Sequence, residues 1–592
     1  MHTPVLKHWP RPLLFAMLLL GARTGAGQGW TGLAHSNYGG TNNLYINPAS
    51  LADSRHRFYL NLGAANVNFY NTYLQLELPA PAREFINGDL EIRKEYLKEQ
   101  LSGEAKFASV TGEGRLPSFM FSLGPNQGLA FTNRVRAFVQ ANNVSENLAR
   151  LAFNGFDTAS RLGLNQLSSD NNFNFSGGSY HEFALSYGRT LTPNTQHFLK
   201  VGGTVKYLVG LGGAFLLNEG TEYHVYDDNS VELRDRKLSY GFTNPDFYDQ
   251  SGFGAGTPFG SQRLGSGFGF DLGVMYEWRP KYDKYQYHMD GKDWTDPSRN
   301  KYRMRVGLAL TDIGAIRYGN ERYVQQARIA NNGVVKLDFD DVDIDDANDI
   351  SPTFQRLIGL SEQTTRFTSY LPTTLRLTGD YRLVNHLFAG LLWTQNLLPA
   401  NTIGQRSLSS LALTPRIEFA RAEVAAPIML ANNYRKLQLG AMVRLGPLVV
   451  GSDNLGGLMG LTTTTGADLY FGLSLALHKK RHKDKDNDQV SNKLDKCPKV
   501  KGSWEYKGCP APVVPAATPD AAVPAPAATP VQDAQPASSP SSDVVPAAAP
   551  ATAPATTPAT SPDKDADGVP DAEDKCPDTP GTAENAGCPK AD

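Results

Sequence analysis

The chain has 592 residues and a formal net charge of −2, so it carries no basic footprint for nucleic acid. Past the N-terminus, no apolar run reaches the roughly 18 residues that a membrane-spanning helix needs. With 56 Gly, 25 Tyr and 28 Phe but only 4 Cys, what remains is either a soluble β protein or a membrane barrel.

The first element is a leader. Lys7 and Arg11 precede the apolar run Leu13 to Leu20, and small residues follow through Gly27. That order makes residues 1–27 a secretory signal peptide, with cleavage expected near Gly27–Gln28. No cysteine stands there, so a lipid anchor is not expected.

Residues 28–480 form one compositional block, and its signal is period-two alternation. Phe268, Phe270, Leu272, Val274, Tyr276 and Trp278 alternate with Gly269, Asp271, Gly273, Met275, Glu277 and Arg279. Tyr302, Met304, Val306, Leu308 and Leu310 alternate with Arg303, Arg305, Gly307, Ala309 and Thr311. The same pattern recurs around Leu375–Arg382, Leu437–Leu445 and Asp468–Leu477. Runs of about ten residues with one apolar and one polar or glycine face match tilted bilayer-crossing strands. Soluble sandwich strands usually run about 5–6 residues. Lipid requires every backbone group to pair internally, so such a sheet must close. The fold class is therefore all-β, a transmembrane antiparallel barrel of about 14 strands. Helical patterns at Ala82–Leu101, Ser145–Leu167 and Ser351–Leu360 predict loop insertions or plug elements. A hairpin is expected over Phe119–Val139, turning at Pro125-Asn126-Gln127-Gly128.

The minor faces of these strands carry charge. Arg303, Arg305, Arg376, Arg382 and Arg444, with Asp271, Glu277 and Asp380, either line a wet pore or pair and fill a closed barrel. The acidic loop Asp338, Asp340, Asp341, Asp343, Asp345, Asp346 and Asp349 lacks a turn glycine and reads as a solvated loop. His478-Lys479-Lys480-Arg481-His482-Lys483 reads as a charged exit from the bilayer. There is no Gly-x-Ser-x-Gly motif and the 11 His are scattered, so no enzyme activity is expected.

The tail carries the clearest chemistry. Asp563, Asp565, Asp567, Asp571 and Asp574 fall at ligand spacing around Gly568, which suits a Ca²⁺ loop with hard oxygen ligands. An earlier copy offers Asp484, Asp486, Asp488, Asn492 and Asp495, with Gln489 in place of the glycine. Lower ligand charge there predicts lower affinity. Each copy is followed by a cysteine pair. Four cysteines allow three connectivities, and the equal local spacing favours Cys497–Cys509 and Cys576–Cys588 over the crossed pairings or free thiols. The copies span 484–510 and 563–589. Between them, residues 511–561 are a Pro/Ala-rich linker that cannot bury a core.

The mature N-terminus, Gly29-Trp30-Thr31-Gly32-Leu33 onward, then Asn47-Pro48-Ala49-Ser50-Leu51-Ala52-Asp53, and the Gly451-Ser452-Asp453-Asn454 loop resemble an uncharacterised outer-membrane barrel family of the Bacteroidota. The Asn-Pro-Ala opening is also similar to the start of FadL-like channels for hydrophobic compounds, in which an N-terminal hatch plugs the lumen. The Asp/Cys motifs resemble thrombospondin type-3 repeats, which in such barrels often lead to an OmpA-like peptidoglycan-binding domain. Here the sequence stops at Asp592, so direct peptidoglycan binding is not expected. The resemblance implies an outer-membrane location with a periplasmic tail, and membrane lipids and a periplasmic or envelope protein as partners. The leading functional reading is an envelope scaffold or interaction protein. The alternative is a porin-like or FadL-like channel for small or hydrophobic solutes.

Overall fold

The computed structural model describes residues 29–77, 94–169, 172–192, 196–226, 230–251, 263–338, 342, 346–459 and 461–512. The expected signal peptide, the expected Pro/Ala-rich linker from residue 513 on and the second acidic repeat lie outside these residues, as do Cys576 and Cys588.

Alternation along the chain becomes a ring of 14 antiparallel strand positions. They are β1 (His56–Asn71), β2 (Lys106–Arg115 continued by Ser118–Ser122), β3 (Gln127–Val144), β4 (Asn174–Thr190) and β5 (His197–Asn218). Next come β6 (Gly265–Trp278), β7 (Met304–Tyr318), β8 (Thr374–Val384), β9 (Leu387–Asn396) and β10 (Ser410–Glu418). The ring ends with β11 (Ala422–Ala425 and Ile428–Ala431), β12 (Lys436–Leu439 and Ala441–Leu445), β13 (Leu448–Ser452) and β14 (Gly466–His478). β14 pairs back onto β1, with Phe58 opposite Leu477 and Tyr70 opposite Gly466, so the ring has no open edge.

The two faces separate as the alternation requires. Phe268 is 60% exposed and Leu469 58%, whereas Asp271 and Glu277 are 2% and 3% exposed. Burying charge inward while exposing Phe and Leu outward is the inverse of a soluble protein, and it fits lipid outside. No described helix is long and apolar enough to cross a membrane.

One parity was misread. β7 begins at Met304, and the chain before it is irregular. Tyr302 therefore points inward and donates its hydroxyl to Asp380 (2.5 Å), while Arg303 lies outside, its guanidinium 5.0 Å from the Tyr381 ring. The predicted helices are partly right. Ile350–Ile358 is helical. Over Ser145–Leu167 only Glu146–Asn154 forms an α-helix, capped by the Ser145 hydroxyl and stopped at Gly155, where φ is 99°. Of Ala82–Leu101, the described part holds a 3-10 turn at Lys94–Tyr96 and a strand Leu97–Glu99 paired with Leu74–Leu76, not a helix. The hairpin within Phe119–Val139 forms, but it turns at 123–126, with Gln127 and Gly128 already in the second strand.

The two ends of the barrel differ. At the end where β1 starts and β14 finishes, the connections are short, for example 123–126, 385–386, 419–421 and 446–447. The exception is the β6–β7 connection, which runs from Arg279 to Arg303 and contains the hairpin Gln286–Met289/Lys292–Thr295. At the other end, long loops are joined by an extra strand, Arg236–Thr243. It extends the wall by pairing with the end of β5 and with Val324–Asn331.

Candidate functional site

The lumen is filled by the chain's own N-terminal segment. Residues 29–54 form three 3-10 turns, Thr31–Leu33, Gly40–Tyr45 and Pro48–Leu51. The last is capped by Asn47, whose Oδ1 accepts from the Ala49 N–H at 2.9 Å. The same side chain donates Nδ2 to the backbone carbonyls of Val274 (3.0 Å) and Leu308 (3.3 Å) on β6 and β7. This close approach needs inward positions without side chains. A Cβ at Gly273 would stand 2.1 Å from Asn47 Oδ1, and one at Gly202 would stand 2.5 Å from the Pro48 backbone. A Cβ at Gly128 would meet the Leu51 carbonyl at 2.7 Å.

Both ends of the plug are tied. The Thr31 N–H donates to Asp453 (3.0 Å), and the Trp30 ring lies 4.9 Å from Tyr470. Asp453 belongs to the loop before β14, where Asp468 accepts from the backbone N–H groups of Asp453 and Asn454 (each 2.8 Å). At the short-turn end, Asp53 pairs with Arg279 (2.7 Å) and Lys301 (3.2 Å).

The inward charges pair and fill rather than line an open pore. Asp312, held at φ 57° in β7, binds Arg136 (2.9 Å), Arg134 (3.1 Å) and Lys206 (2.5 Å). Arg134 also reaches Glu182 (2.9 Å) and Glu113 (3.2 Å), and Lys206 reaches Asp271 (2.8 Å). A second group joins Asp380 to Arg416 (2.6 Å) and Arg305 (3.1 Å), and Arg444 to Glu423 (3.0 Å). Glu277 holds Lys200 (2.7 Å). Of the charges predicted to face inward, Arg305, Arg376, Arg444, Asp271, Glu277 and Asp380 do so. Arg382 serves the base, donating to the Asn300 carbonyl (2.8 Å).

The opposite end of the lumen is crossed by the β9–β10 connection, residues 397–409. Asn174 donates to the Thr402 carbonyl (2.8 Å), and Gln140 exchanges hydrogen bonds with the Arg406 backbone (2.7 and 2.8 Å). Ile403 packs on an apolar cluster that includes Phe138, Tyr180, Ile316 and Tyr318. A cavity of about 180 Å³ remains between this loop and the plug, with Ile46, Leu392 and Met429 on its lining and Arg115, Arg376 and Arg406 among its polar residues. Sequence reading missed this loop altogether. The only traces of the plug were Asn47-Pro48-Ala49 and glycines at inward strand positions.

The first acidic repeat sits against the base. Asp290, at the tip of the hairpin in the β6–β7 connection, accepts from the Ser491 N–H (2.6 Å), and its own N–H donates to the Gln489 carbonyl (2.9 Å). The Trp294 ring lies 4.6 Å from His482, and Arg481 lies 4.4 Å from the Tyr287 ring. The basic exit thus meets an aromatic platform on the barrel. The Cys497–Cys509 disulfide is formed.

Within this repeat, oxygens of Asp484, Asp486 and Asp488 lie within 4.8 Å of one another. Asp484 accepts from the Asn487 and Gln489 N–H groups (2.8 and 2.9 Å), and Asp488 from Val490 and Gly502 (2.9 and 3.1 Å). Gln489, at the position where the second copy has Gly568, turns at φ 68°. Both Asp486 oxygens and Asp495 Oδ2 are enclosed and accept no hydrogen bond among the described residues. Desolvation and the neighbouring Asp488 and Asp495 charges push the Asp486 carboxyl above its ordinary value. Clustered, unsatisfied hard oxygens fit a divalent cation. Asn492 is less committed, since its Oδ1 accepts from the Lys485 N–H (2.9 Å). Asp563, Asp565, Asp567, Asp571 and Asp574 lie outside the described residues. So do Asp340, Asp341, Asp343 and Asp345 of the acidic loop.

A thrombospondin type 3 repeat model matches residues 482–501 and 561–584. Among solved structures, a Pseudomonas aeruginosa FadL homologue is similar at 12% identity, covering 76% of this chain and 97% of its own, with a TM-score of 0.35. A TodX monoaromatic hydrocarbon channel deltaS2 mutant is similar at 9% identity, covering 74% and 95%, with a TM-score of 0.35. The translocator domain of autotransporter NalP from Neisseria meningitidis is similar at 10% identity, covering 70% and 88%, with a TM-score of 0.25. At such values these likenesses add nothing to the architecture read from the strands themselves. No curated protein matches the chain. The model of a family of unknown function, DUF5723, matches residues 48–453, and the chain belongs to that family.

Proposed function

We propose that this protein is an outer-membrane barrel that passes a small solute past a displaceable N-terminal plug. The observation that carries this reading is the nature of the plug's seat. Residues 29–54 pack Trp30, Leu33, Leu44 and Leu51 on the wall, but their anchoring points are polar, with Asn47 on two wall carbonyls and Asp53 between Arg279 and Lys301. Water can replace those anchoring contacts one by one. A cavity already stands on the far side of the plug. The short connections and both strand termini at one end support a periplasmic base, with the long loops outside.

Uptake into proteoliposomes tests it. Wild-type barrel is expected to pass small solutes slowly. Asp53→Ala leaves Arg279 and Lys301 without the plug's acid and is expected to raise the rate severalfold. If neither protein moves solute above empty vesicles, the passage reading falls.

A second reading, an envelope scaffold or interaction protein, is favoured by the seating of the first repeat on the β6–β7 hairpin. In this reading the repeats hold Ca²⁺, which neutralises their carboxylates and stiffens them. Calorimetry on the full-length protein is expected to show calcium binding. Asp486→Ala, which removes two unsatisfied oxygens, is expected to weaken the first-repeat site by about tenfold or more. Calcium heats unchanged in Asp486→Ala would remove that carboxylate from the site.

A further inference from the structure

The cavity between the plug and the 397–409 loop holds more positive charge and more donors than its acids answer. Arg115 is paired with Glu113 (2.5 Å), Arg134 with Glu182 (2.9 Å) and Arg136 with Asp312 (2.9 Å). Arg376 and Arg406 differ. Among the described residues, Arg376 donates to the Tyr45 carbonyl (2.9 Å) and the Thr374 hydroxyl (3.3 Å) alone, and the Arg406 side chain to the Leu398 carbonyl (3.2 Å) alone. Neither has a carboxylate oxygen within 4.0 Å among the described residues. Trp30 Nε1, which can donate but not accept, is buried on the same lining and has no partner among those residues. The two other acids of the lining, Asp453 and Asp468, are spent on backbone N–H groups and do not neutralise these arginines.

Two half-buried guanidiniums without a counter-charge favour an anion between them, and a guanidinium fork matches carboxylate and phosphate oxygens. The same lining includes the apolar Ile46, Leu392 and Met429. A volume of about 180 Å³ limits the guest to a compact body.

We propose that this cavity is a binding site for a small organic anion, a carboxylate or phosphate monoester, with its oxyanion on Arg376 and Arg406 and its apolar body against the aliphatic lining. The site rests on the passage reading for its purpose but is tested separately.

Titration calorimetry of the full-length protein in detergent micelles tests it with four probes that share one ring: benzoate, phenyl phosphate, benzamide and benzylamine. At least one of the two anions binds about tenfold or more tighter than benzamide, as loss of a charge-assisted bond requires, and benzylamine does not bind. The tighter anion names the head group. Arg376→Gln and Arg406→Gln each weaken that anion by about tenfold, and the double variant abolishes its binding. Arg382→Gln, at the other end of the barrel, leaves it unchanged. Heat-modifiable gel migration identifies the variants that still form a barrel, and Arg406→Gln, on a loop, is expected to be among them. Binding by neither anion, equal binding of anion and benzamide, or unchanged anion binding in a folded double variant overturns the site. An anion that binds yet is not transported leaves the site standing and removes passage. Transport blind to probe charge, with no anion bound, does the reverse.

Discussion

Asp312→Ala is expected to destabilise the barrel by about 3–5 kcal/mol, the range for removing one partner from a buried charge cluster. The carboxylate binds Arg134, Arg136 and Lys206 at once, and all four side chains are enclosed. Its removal leaves three cations competing for Glu182, Glu113 and Asp271. A second cost comes from the backbone, because residue 312 sits at φ 57°, where aspartate and asparagine are tolerated better than alanine. Asp312→Asn therefore keeps the backbone and loses the charge, and should fall between wild type and alanine. Urea unfolding in lipid, followed by tryptophan fluorescence, measures all three. An alanine variant as stable as wild type would mean that the cluster contributes nothing net.

Gly202→Leu is expected to unseat the plug. The first added carbon would lie 2.5 Å from the Pro48 backbone, which has no flexible end to swing aside. Overpacking a well-fitted interior costs about 1–3 kcal/mol, and here the strain falls on Pro48, beside the two wall hydrogen bonds of Asn47. Displacement is cheaper than distortion of a closed sheet. Planar-bilayer recordings should show openings that are rare or absent in wild type. Gly63→Leu is the control, since nothing lies within 4 Å of a Cβ there. A closed Gly202→Leu barrel would show that the wall gives way before the plug does.

The ring itself was legible because lipid imposes a strict rule on side chains. Runs such as Phe268–Trp278 must place one parity outward along their whole length, and they do. Legibility ended where the rule ended. Tyr302 and Arg303 stand one step before a strand, and their parity was extrapolated across its start. Whether Asp271 faced water or a lysine was not written in its neighbours; Lys206 is distant in sequence and adjacent only through β5–β6 pairing. The loop 397–409 has no periodicity that would betray its inward course. The acidic repeat was readable in full as a motif, yet its seat on Asp290 and Trp294 was not, because either residue alone is ordinary for an exposed hairpin.

The pairing of β1 with β14 joins the two ends of the sheet, His56 against His478. Until the last strand has been synthesised, both margins of the ribbon carry unmet amide and carbonyl groups that hydrocarbon will not tolerate. Circularisation therefore waits for the last strand, and it joins residues most of the polypeptide apart. In the closed ring the segment immediately upstream of β1 is enclosed, with Ala49 and Leu51 shut off from solvent. Any escape of this cork must proceed along the axis, because the wall offers no seam.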